Sequence, residues 1–508
     1  MRRYKVFFAN GILITLTSLL MRTVGVSFNV YISNKVGAEA VGTFQLVMAI
    51  YLFTITLATS GINLAASKMV AEELALNPNF NSKKIIRHCL IYSLLLGSFA
   101  CLLLCLASPF LTQAVLHDKL TPAILYIIAF SLPFIAMSAS LNGYFTALRK
   151  ATKNAATRVF EQFIKIVSTC YFLVLLFPPG IFYACLALVL GETISEIMSF
   201  LFVWILYRID IRKNVYPVEN KSYTKRLLHI TIPISITSYL RSGLSSLKQI
   251  MIPARLEKSG LSCDTALASY GKINGMVLPI IMFPEVVINS FSSLLIPEFS
   301  YYFAKKATNS IQYIITKIFK ISLLFSIGII GVFLFFAEPL AEAIYHDLEI
   351  ATYLKILCPL IILMYLDNAV DCILKGIDKQ LGVMFCNLLD SFVSVVSIYF
   401  LLPIFGIYGY LCVIFISEIL NSGISIWQLW RAIHFKISFK NWIIKPIFSI
   451  LFSHWLIKIL PFSPIVDISS LVLQISVFII FYLFFLLINN VLFPIKKVHG
   501  FYSKKNKN

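Results

Sequence analysis

The chain has little charge for its length. Asp, Glu, Lys and Arg make up 13% of its 508 residues, whereas soluble proteins average roughly a quarter. Hydrophobic residues make up 59%, and the mean hydropathy is +0.86. So small a polar fraction cannot cover the surface of a soluble protein of this size, which excludes that class. The composition indicates a membrane protein.

The sequence also lacks the motifs of several enzyme classes and of metal sites. It contains no Walker A lysine motif, no G-x-S-x-G, no H-E-x-x-H and no D-x-D. Nine of the ten cysteines lie in or at the ends of apolar runs, and none belongs to a CxxC pair or a Cys/His metal spacing. We therefore expect buried free thiols, no cofactor, no metal and no direct use of ATP.

Long apolar runs recur from one end of the chain to the other. No connection between them is long enough for a soluble domain. The first run follows the basic start MRRYKVFF and is longer than the apolar part of a signal peptide, so we expect it to be retained. The sequence predicts an all-α integral membrane protein of about fourteen spanning helices. They are expected at residues 6–33, 41–66, 86–111, 121–148, 157–177, 181–207, 227–252, 266–297, 312–336, 351–375, 381–402, 407–431, 442–460 and 468–493.

The positive charges favour one orientation in the membrane. Lys and Arg number 43 against 23 Asp and Glu, which gives a net charge of +20. With the N-terminus in the cytoplasm, 32 of the 43 basic residues fall in cytoplasmic segments and six in outer segments. No basic stretch is long enough to form a nucleic-acid-binding domain. We therefore expect both termini in the cytoplasm and no nucleic-acid partner.

The chain contains an internal repeat. The stretch VLHDK around His117 returns as IYHDL around His346, and GIFYACLALVLGETISEI from Gly180 aligns with GIYGYLCVIFISEILNSG from Gly406. Both His-Asp pairs fall in outer loops, where helix capping is the expected role because no nucleophile accompanies them. Further matches at a nearly constant offset pair Lys150 with Lys379, Glu161 with Asp390, Glu192 with Glu418 and Trp204 with Trp430.

The repeat predicts two lobes of six helices each. Because six is even, both lobes enter the membrane in the same orientation, as parallel repeats. We expect an N-lobe at residues 1–215, a C-lobe at residues 220–435, and helices 13 and 14 with a basic cytoplasmic tail at residues 436–508. Two lobes around a central cleft suit alternating access.

Four of the five cations within the predicted spans are candidates for substrate binding. Arg22 lies in helix 1, Arg241 and Lys248 in helix 7, and Lys272 in helix 8. Because a charge at this depth costs a few kcal/mol, it normally faces a cavity or a partner. We expect these helices and helix 2 to line a cationic cleft that binds an anion such as a pyrophosphate. The alternative is that the cations snorkel or pair with Glu285.

Acidic residues also fall within the spans. Asp367 and Asp371 lie four apart on one helix face, and they or Glu285 could bind Na⁺ or a proton for coupling. A second group comprises Glu161, Lys165, Glu192 and Glu196. The alternative to ion coupling is a structural role, in which polar residues near helix ends pair with their neighbours. In this second group, Glu161 and Lys165 would form an i,i+4 pair.

Two stretches near the N-terminus resemble a known family. MRTVGVSFNVYISNKVGAEAVGTFQLVMAIY at residues 21–51 and LATSGINLAASKMVAEE at residues 57–73 are similar to stage V sporulation protein B and its polysaccharide-exporter relatives. That family belongs to the MOP flippase superfamily, with the MATE drug antiporters and the lipid II flippases. The matching motif positions are Arg22, Gly25, Gly37, Glu39, Gly42, Gly61, Ser67 and Lys68.

The resemblance implies a transporter rather than an enzyme. Its substrate would be a lipid II-like undecaprenyl-pyrophosphate oligosaccharide, flipped from the inner to the outer face of a bacterial plasma membrane for peptidoglycan or spore-cortex synthesis. Implied partners are this substrate, membrane lipids, Na⁺ or H⁺ and the enzymes of cell-wall synthesis.

Three alternatives remain open. A cation-coupled MATE-type drug antiporter fits poorly with the intramembrane cations. A polyprenyl-glycan glycosyltransferase or ligase would need a sizeable outer loop with catalytic residues, and every outer loop here is short. A non-transporting assembly scaffold predicts that Arg22→Ala and Arg241→Ala leave function intact.

Overall fold

The computed structural model describes residues 2–76, 82–116, 119–148, 150–176, 180–212, 223–435, 438–460, 468–489 and 491. Every regular element in these ranges is helical. The helices are α1 (Arg2–Thr59), α2 (Ile62–Leu76), α3 (Lys83–Ala114), α4 (Pro122–Ala129), α5 (Leu132–Ala147), α6 (Ala151–Leu175), α7 (Ile181–Arg212), α8 (Thr224–Glu257), α9 (Cys263–Tyr270), α10 (Leu278–Ile281), α11 (Glu285–Ala304), α12 (Thr308–Phe335), α13 (Ala337–Tyr345), α14 (Leu348–Leu357), α15 (Ile361–Gly376), α16 (Gln380–Ala432), α17 (Lys445–Ile459) and α18 (Ile468–Ile488). Two π-helical turns, Gly271–Val277 and Lys440–Ile444, and a 3₁₀ turn, Cys358–Leu360, lie between them.

The predicted class, an all-α membrane protein, is confirmed. In the described part of the chain, 9 helices are long and apolar enough to cross a membrane. Two of these helical stretches, Leu19–Leu74 and Gln380–Ala432, are long enough to hold two predicted spans each. The predicted spans at 157–177 and 227–252 are formed by α6 and α8, which are not among the nine. The number fourteen stays a prediction.

Helix α1 bends at Gly37. This residue has φ 82° and ψ 166°, a conformation that a residue with a side chain rarely adopts. Asn29, before the bend, and Val41, after it, both contact Gly275. In a straight helix these two residues would be about 18 Å apart along the axis. We name residues 2–36 the first arm of α1 and residues 38–59 its second arm.

Helix α16 is a hairpin that turns at Gly406, where φ is 56° and ψ is −131°. The amide of Gln428 donates to the carbonyl of Gly382 at 3.4 Å, and the thiol of Cys386 contacts the backbone of Asn421 at 3.4 Å. Residues 46 positions apart would be about 70 Å apart in a straight helix. The two ends of α16 therefore meet. Its first arm is residues 380–405 and its second arm is residues 407–432.

The chain divides into two compact units, residues 1–290 with 383–421 and residues 291–382 with 422–508. In the first unit α5 packs against α2, α3 and α7, and α6 runs along α7. In the second unit α12 packs against α15, α17 and α18, and Gly331 leaves room for the ring of Phe478. The predicted lobes at 1–215 and 220–435 stay a prediction.

Asp347 caps a helix, as predicted for the second His-Asp pair. Its Oδ1 accepts a hydrogen bond from the backbone N–H of Glu349 at 2.9 Å, in the first turn of α14. His346 adopts a left-handed conformation, with φ 55°, at the end of α13. His117 and Asp118 lie outside the described residues.

Candidate substrate pathway

One face of α8 is joined to residues 49–60 of the same chain by a row of hydroxyl groups, which we name the hydroxyl seam. The four side chains recur at i, i+4, i+7 and i+11, which places them on one side of the helix. Each is bonded to the second arm of α1 or to the residue that follows it. The bonds run from Ser235 Oγ to the carbonyl of Ser60 (3.1 Å), Tyr239 Oη to the carbonyl of Leu57 (3.2 Å), Ser242 Oγ to Thr56 Oγ1 (2.9 Å) and Ser246 Oγ to the carbonyl of Ala49 (2.7 Å).

An ion-pair cluster lies at one end of the hydroxyl seam. Lys119 Nζ bonds Glu39 Oε1 at 2.5 Å and also bonds the carboxylate of Asp264 in α9. The hydrogen bond from Lys119 holds the pKa of Asp264 below its ordinary value. Burial lowers the pKa of Lys119, but the bonds to Asp264 and Glu39 outweigh it, so this pKa is raised. The predicted topology places this cluster on the outer side.

A second cluster lies at the opposite end of the seam. Arg226, in the first turn of α8, bonds Glu72 and lies 3.4 Å from Glu73, both in α2. Gly61 has φ 74°, and a Cβ at this position would lie 3.0 Å from the backbone of Thr231. Both facts favour glycine here. Both ends of the seam are therefore closed by side-chain pairs.

Glycine contacts fix the second arm of α1 against α9 and the π-helical turn. A Cβ on Gly42 would lie 2.0 Å from the carbonyl oxygen of Leu267, and one on Gly271 would lie 2.2 Å from that of Ala38. Asn29 donates to the carbonyl of Gly275 at 2.6 Å. π-Helical turns are frequent at functional sites, and this one carries Lys272.

The opposite face of α8 carries three cations, Arg241, Lys248 and Arg255, which we name the cationic stripe. Their spacing of seven residues places them on one face, about 10 Å apart along the axis and roughly 150° around the helix from the hydroxyl seam. Lys248 Nζ donates to Ser394 Oγ at 3.1 Å, and Arg255 stacks over Tyr399 at 3.8 Å. The stripe therefore faces α16.

Arg241, the member of the stripe nearest the start of α8, differs from its two neighbours. It is exposed and makes no hydrogen bond or ion pair with any described residue. Lys248 is joined through Ser417 to a carboxylate, since Ser417 bonds Asp390 Oδ1 at 2.6 Å and Lys248 Nζ at 3.4 Å. Of the two predicted binding residues on α8, only Arg241 offers an uncommitted charge within the described chain.

Arg22 lies half-buried in the first arm of α1. Its Nε is buried and makes no hydrogen bond within the described chain. Lys272 is half-buried in the π-helical turn and has polar contacts of its own. Glu285 is buried, and its Oε1 accepts from the amide of Asn289 at 3.2 Å. All of these residues belong to the first compact unit.

The predicted coupling residues Asp367 and Asp371 lie on α15, in the second compact unit. Both are half-buried. Asp371 Oδ2 accepts from Lys375 Nζ at 3.5 Å, one helical turn further along the chain. Their role as ion ligands stays a prediction.

The motif glycines lie in different environments. Gly37 and Gly61 take positive φ, Gly42 lies against backbone, and nothing within 4 Å meets a Cβ placed on Gly25. Glu39 joins the ion-pair cluster, while Lys68 lies 4.0 Å from Glu72 on the same helix. Ser67 is half-buried in α2.

Glu161, Lys165, Glu192 and Glu196 form a group of charges on α6 and α7. Their pairing differs from the i,i+4 pair that the sequence predicts. Lys165 forms its ion pair with Glu192 of α7 and not with Glu161. Glu161 instead accepts from Ser199 Oγ at 2.9 Å. The i,i+4 pair was wrong because α6 and α7 pack along each other, which brings a better-placed carboxylate to the lysine. Glu196 lies close enough to Glu161, Glu192 and Lys165 to interact with all three charges.

Sequence reasoning missed the hydroxyl seam. The spacing of Ser235, Tyr239, Ser242 and Ser246 is visible in the sequence, yet their partners are mostly backbone carbonyls, which no side-chain pattern marks. It also missed Arg255 as a member of the stripe, because the predicted helix 7 ended at residue 252.

The family model described as polysaccharide biosynthesis protein matches residues 7–303, which is more than half of the chain. The chain belongs to the polysaccharide biosynthesis protein family. A second family model, MatE, matches residues 258–400. The resemblance to the polysaccharide exporters of the MOP superfamily is thereby confirmed.

Similar proteins and solved structures support the assignment of this polysaccharide biosynthesis protein to its family. Stage V sporulation protein B of Bacillus subtilis (strain 168) is 26% identical over 412 residues, covering 79% of each chain. The structure of the lipid II flippase MurJ in an inward closed conformation superposes with TM-score 0.69 and 14% identity over 94% of this chain and 99% of that one. An inward-facing MATE multidrug transporter superposes with TM-score 0.64 and 14% identity over 82% and 98%.

These similarities fix the class of the protein. It is a multi-span membrane protein of the MOP superfamily, a transporter and not an enzyme. The two solved structures show the fold alone, because their sequences are too distant to carry a substrate.

Proposed function

We propose that this polysaccharide biosynthesis protein flips an undecaprenyl-pyrophosphate-linked glycan from the inner to the outer face of a bacterial plasma membrane. Both termini would lie in the cytoplasm, in accordance with the positive charges of the sequence. Support for the substrate class comes from similar proteins, which include a stage V sporulation protein and a lipid II flippase. Peptidoglycan or spore cortex would be the product assembled from the exported glycan.

The observation that carries the proposal is that two arginines, Arg22 and Arg241, have no anionic partner among the described residues. Arg22 has a buried Nε with no hydrogen bond in the described chain, and Arg241 has no described partner. A desolvated, unpaired guanidinium is costly, so its usual place in a membrane protein is a cavity that receives an anion. A pyrophosphate supplies bidentate acceptors to an arginine, whereas a neutral sugar does not.

The cationic stripe gives the phosphates a path. In the proposed orientation Arg241 lies near the middle of α8, and Arg255 lies near its outer end. The steps of about 10 Å between them are short enough for a diphosphate to pass from one cation to the next with modest movement of the side chains. The glycan would follow through the space that opens beside α8.

Alternating access requires the hydroxyl seam to open during the cycle. The seam joins predicted helix 2 to predicted helix 7, which belong to different predicted lobes. Each of its bonds contributes only about 1 kcal/mol, so a substrate or ion can offset their loss. Glu285, Asp367 and Asp371 are the candidate sites for a coupling Na⁺ or H⁺.

The test uses cells whose own lipid II flippase can be shut off, and it measures lipid II accessible at the outer face. Wild-type chain should restore it. Arg22→Gln and Arg241→Gln, at equal membrane levels, should each lower the rate by about tenfold or more, because a charge-assisted contact is lost. Arg208→Gln is the matched control, since Arg208 is exposed and stacks over Trp204 at 4.7 Å. Full activity in both test variants would rule out the cationic cleft.

A second candidate, a cation-coupled drug antiporter, is favoured by one observation. Glu161, Glu192 and Glu196 outnumber the two cations near them, Lys165 and Arg158, so this group would attract a cationic compound rather than a phosphate. Failure to restore lipid II, together with export of a cationic dye that Glu196→Gln abolishes, would favour this candidate over the flippase.

A further inference from the structure

A cavity of about 450 Å³ lies where the two ends of α16 meet. It is lined by Lys379, Gly382, Trp427, Gln428, Arg431 and Ala432. The hairpin turn at Gly406 brings these residues together from positions about fifty residues apart in the chain. Trp427 is 54% exposed, so the cavity is open at the surface of the protein.

The two cations in this cavity have no anion among the residues that the structure describes. Among the described residues, neither Lys379 nor Arg431 forms an ion pair. Arg431 lies over the ring of Trp427, at 5.5 Å from its centroid. Asp378 is adjacent in sequence but pairs with neither cation. Lys379 occupies the N-cap position of α16 and supplies no side-chain acceptor to the first turn, so the helix end also favours an anion.

The corresponding place in the first half of the repeat is closed. Lys379 aligns with Lys150, whose Nζ lies 2.5 Å from Asp210 Oδ1. Tyr144 donates to the other oxygen of Asp210 at 2.9 Å, so both oxygens of this carboxylate are bonded. In the sequence, the offset that pairs Trp204 with Trp430 pairs Asp210 with Lys436, so the aligned position of the second half is basic where that of the first is acidic.

The filling of the two places differs as well. Gln428 aligns with Phe202, which stacks on Phe160 at 4.5 Å and occupies space with an apolar ring. In the second half a Cβ on Gly382 would lie 2.6 Å from Gln428 Oε1, so this glycine lets the two arms approach while leaving a polar wall. At the same position of the repeat, the first half thus has its aligned lysine paired with a carboxylate and an apolar ring, and the second half has an open basic cavity.

We propose that this cavity binds the phosphate headgroup of an anionic membrane lipid. It lies at the end of a spanning hairpin, on the side that the charge pattern assigns to the cytoplasm. Trp at a membrane interface faces the headgroup level, and basic residues there attract anionic lipid. The site is separate from the cationic stripe and does not depend on which substrate the protein carries.

The test uses the full-length protein in lipid nanodiscs and measures quenching of tryptophan fluorescence by brominated phosphatidylglycerol and brominated phosphatidylcholine. The difference between wild type and Trp427→Phe isolates the signal of Trp427. We expect half-maximal quenching by phosphatidylglycerol at a several-fold lower mole fraction than by phosphatidylcholine. Lys379→Gln and Arg431→Gln should each weaken that preference by about fivefold.

The control variant is again Arg208→Gln, which removes a cation stacked over Trp204 in the first half and should leave the preference unchanged. Inorganic phosphate, added at constant ionic strength, should not relieve the quenching. Equal quenching by the two lipids in the wild type, or an equal effect of the control variant, would overturn the proposal. Relief by inorganic phosphate would also overturn it, since the site would then hold free phosphate rather than lipid.

Discussion

The two faces of α8 differ in how completely their polar groups are paired. The hydroxyl seam satisfies each of its four side chains against the chain from Ala49 to Ser60. In the cationic stripe, Arg255 stacks on Tyr399 and Lys248 donates to two serine hydroxyls, whereas Arg241 has no described partner. The seam therefore holds helices together, and the stripe keeps charge available. One helix serves both purposes because residues three, four or seven positions apart share a face, and the seam and the stripe occupy two different faces.

The largest effect is expected from locking the seam. Thr56 Oγ1 and Ser242 Oγ lie 2.9 Å apart, so cysteines at these two positions would bring their sulfurs together. In the Thr56→Cys, Ser242→Cys double variant, oxidation should stop transport and a reducing agent should restore it. The measurement is outer-face lipid II with and without oxidant.

The controls for this lock are the two single-cysteine variants, which should keep transport under oxidant. The native Cys263 thiol will interfere little, because burial raises its pKa to about 11 and keeps it protonated at neutral pH. Undiminished transport by the oxidised, cross-linked double variant would mean that the seam stays closed throughout the cycle.

The next largest effect is expected from crowding the contact beside the seam. Gly42→Ala places a Cβ against the backbone of Leu267, which cannot move aside without displacing α9. We expect a loss of about 2–3 kcal/mol in the free energy of unfolding. Gly25→Ala is the matched control, because nothing lies within 4 Å of its Cβ position. Similar thermal denaturation midpoints in detergent for the two variants would contradict the packing shown here.

A smaller effect is expected from removing one bond of the seam. Ser246→Ala deletes the hydrogen bond to the carbonyl of Ala49 and should cost about 0.5–1 kcal/mol of stability. Ser245→Ala, one residue away on an exposed side chain without a described partner, should cost nothing measurable. The measurement is the denaturation curve of each variant compared with wild type. An equal loss of stability in both variants would show that the bond from Ser246 to Ala49 adds no stability of its own.

The smallest effect concerns the ion-pair cluster at the end of the seam. The pKa of Asp264 is lowered by Lys119, so this carboxylate stabilises the folded state above its ordinary pKa of about 3.9 and ceases to do so as pH falls through the lowered value. The Tm difference between wild type and Asp264→Asn should therefore be constant from neutral pH to about pH 5 and vanish in stronger acid. A difference that grows on acidification would contradict this sign.

Sequence reasoning reached the fold class because long apolar runs dominate every part of this chain. It also located Arg22 and Arg241, since a charge within an apolar run is conspicuous whatever the packing. Whether these residues form one cleft stays a prediction. Arg255 was placed in an outer segment because the predicted span ended at residue 252, yet α8 continues through Pro253 to Glu257.

Other features depended on packing that a single sequence does not specify. The partner of Lys165 was misassigned because the choice between Glu161 and Glu192 depends on how α6 meets α7. The cavity at the ends of α16 required two residue sets about fifty positions apart to meet. The repeat did contain a usable signal, since Asp210 in one half aligns with Lys436 in the other.

The hairpin turn of α16 also bears on how the protein is made. Between Asp390 and Glu418 the chain contains no charged residue, and the tip around Gly406 exposes Ile404, Phe405 and Tyr408. A newly synthesised segment of this kind can enter the bilayer as one unit, because no charge has to be carried through the hydrocarbon to reach the far side. The bend at Gly37 is different, since Lys35 and Glu39 flank it. In the proposed orientation, biogenesis of α1 therefore translocates charge, and biogenesis of α16 does not.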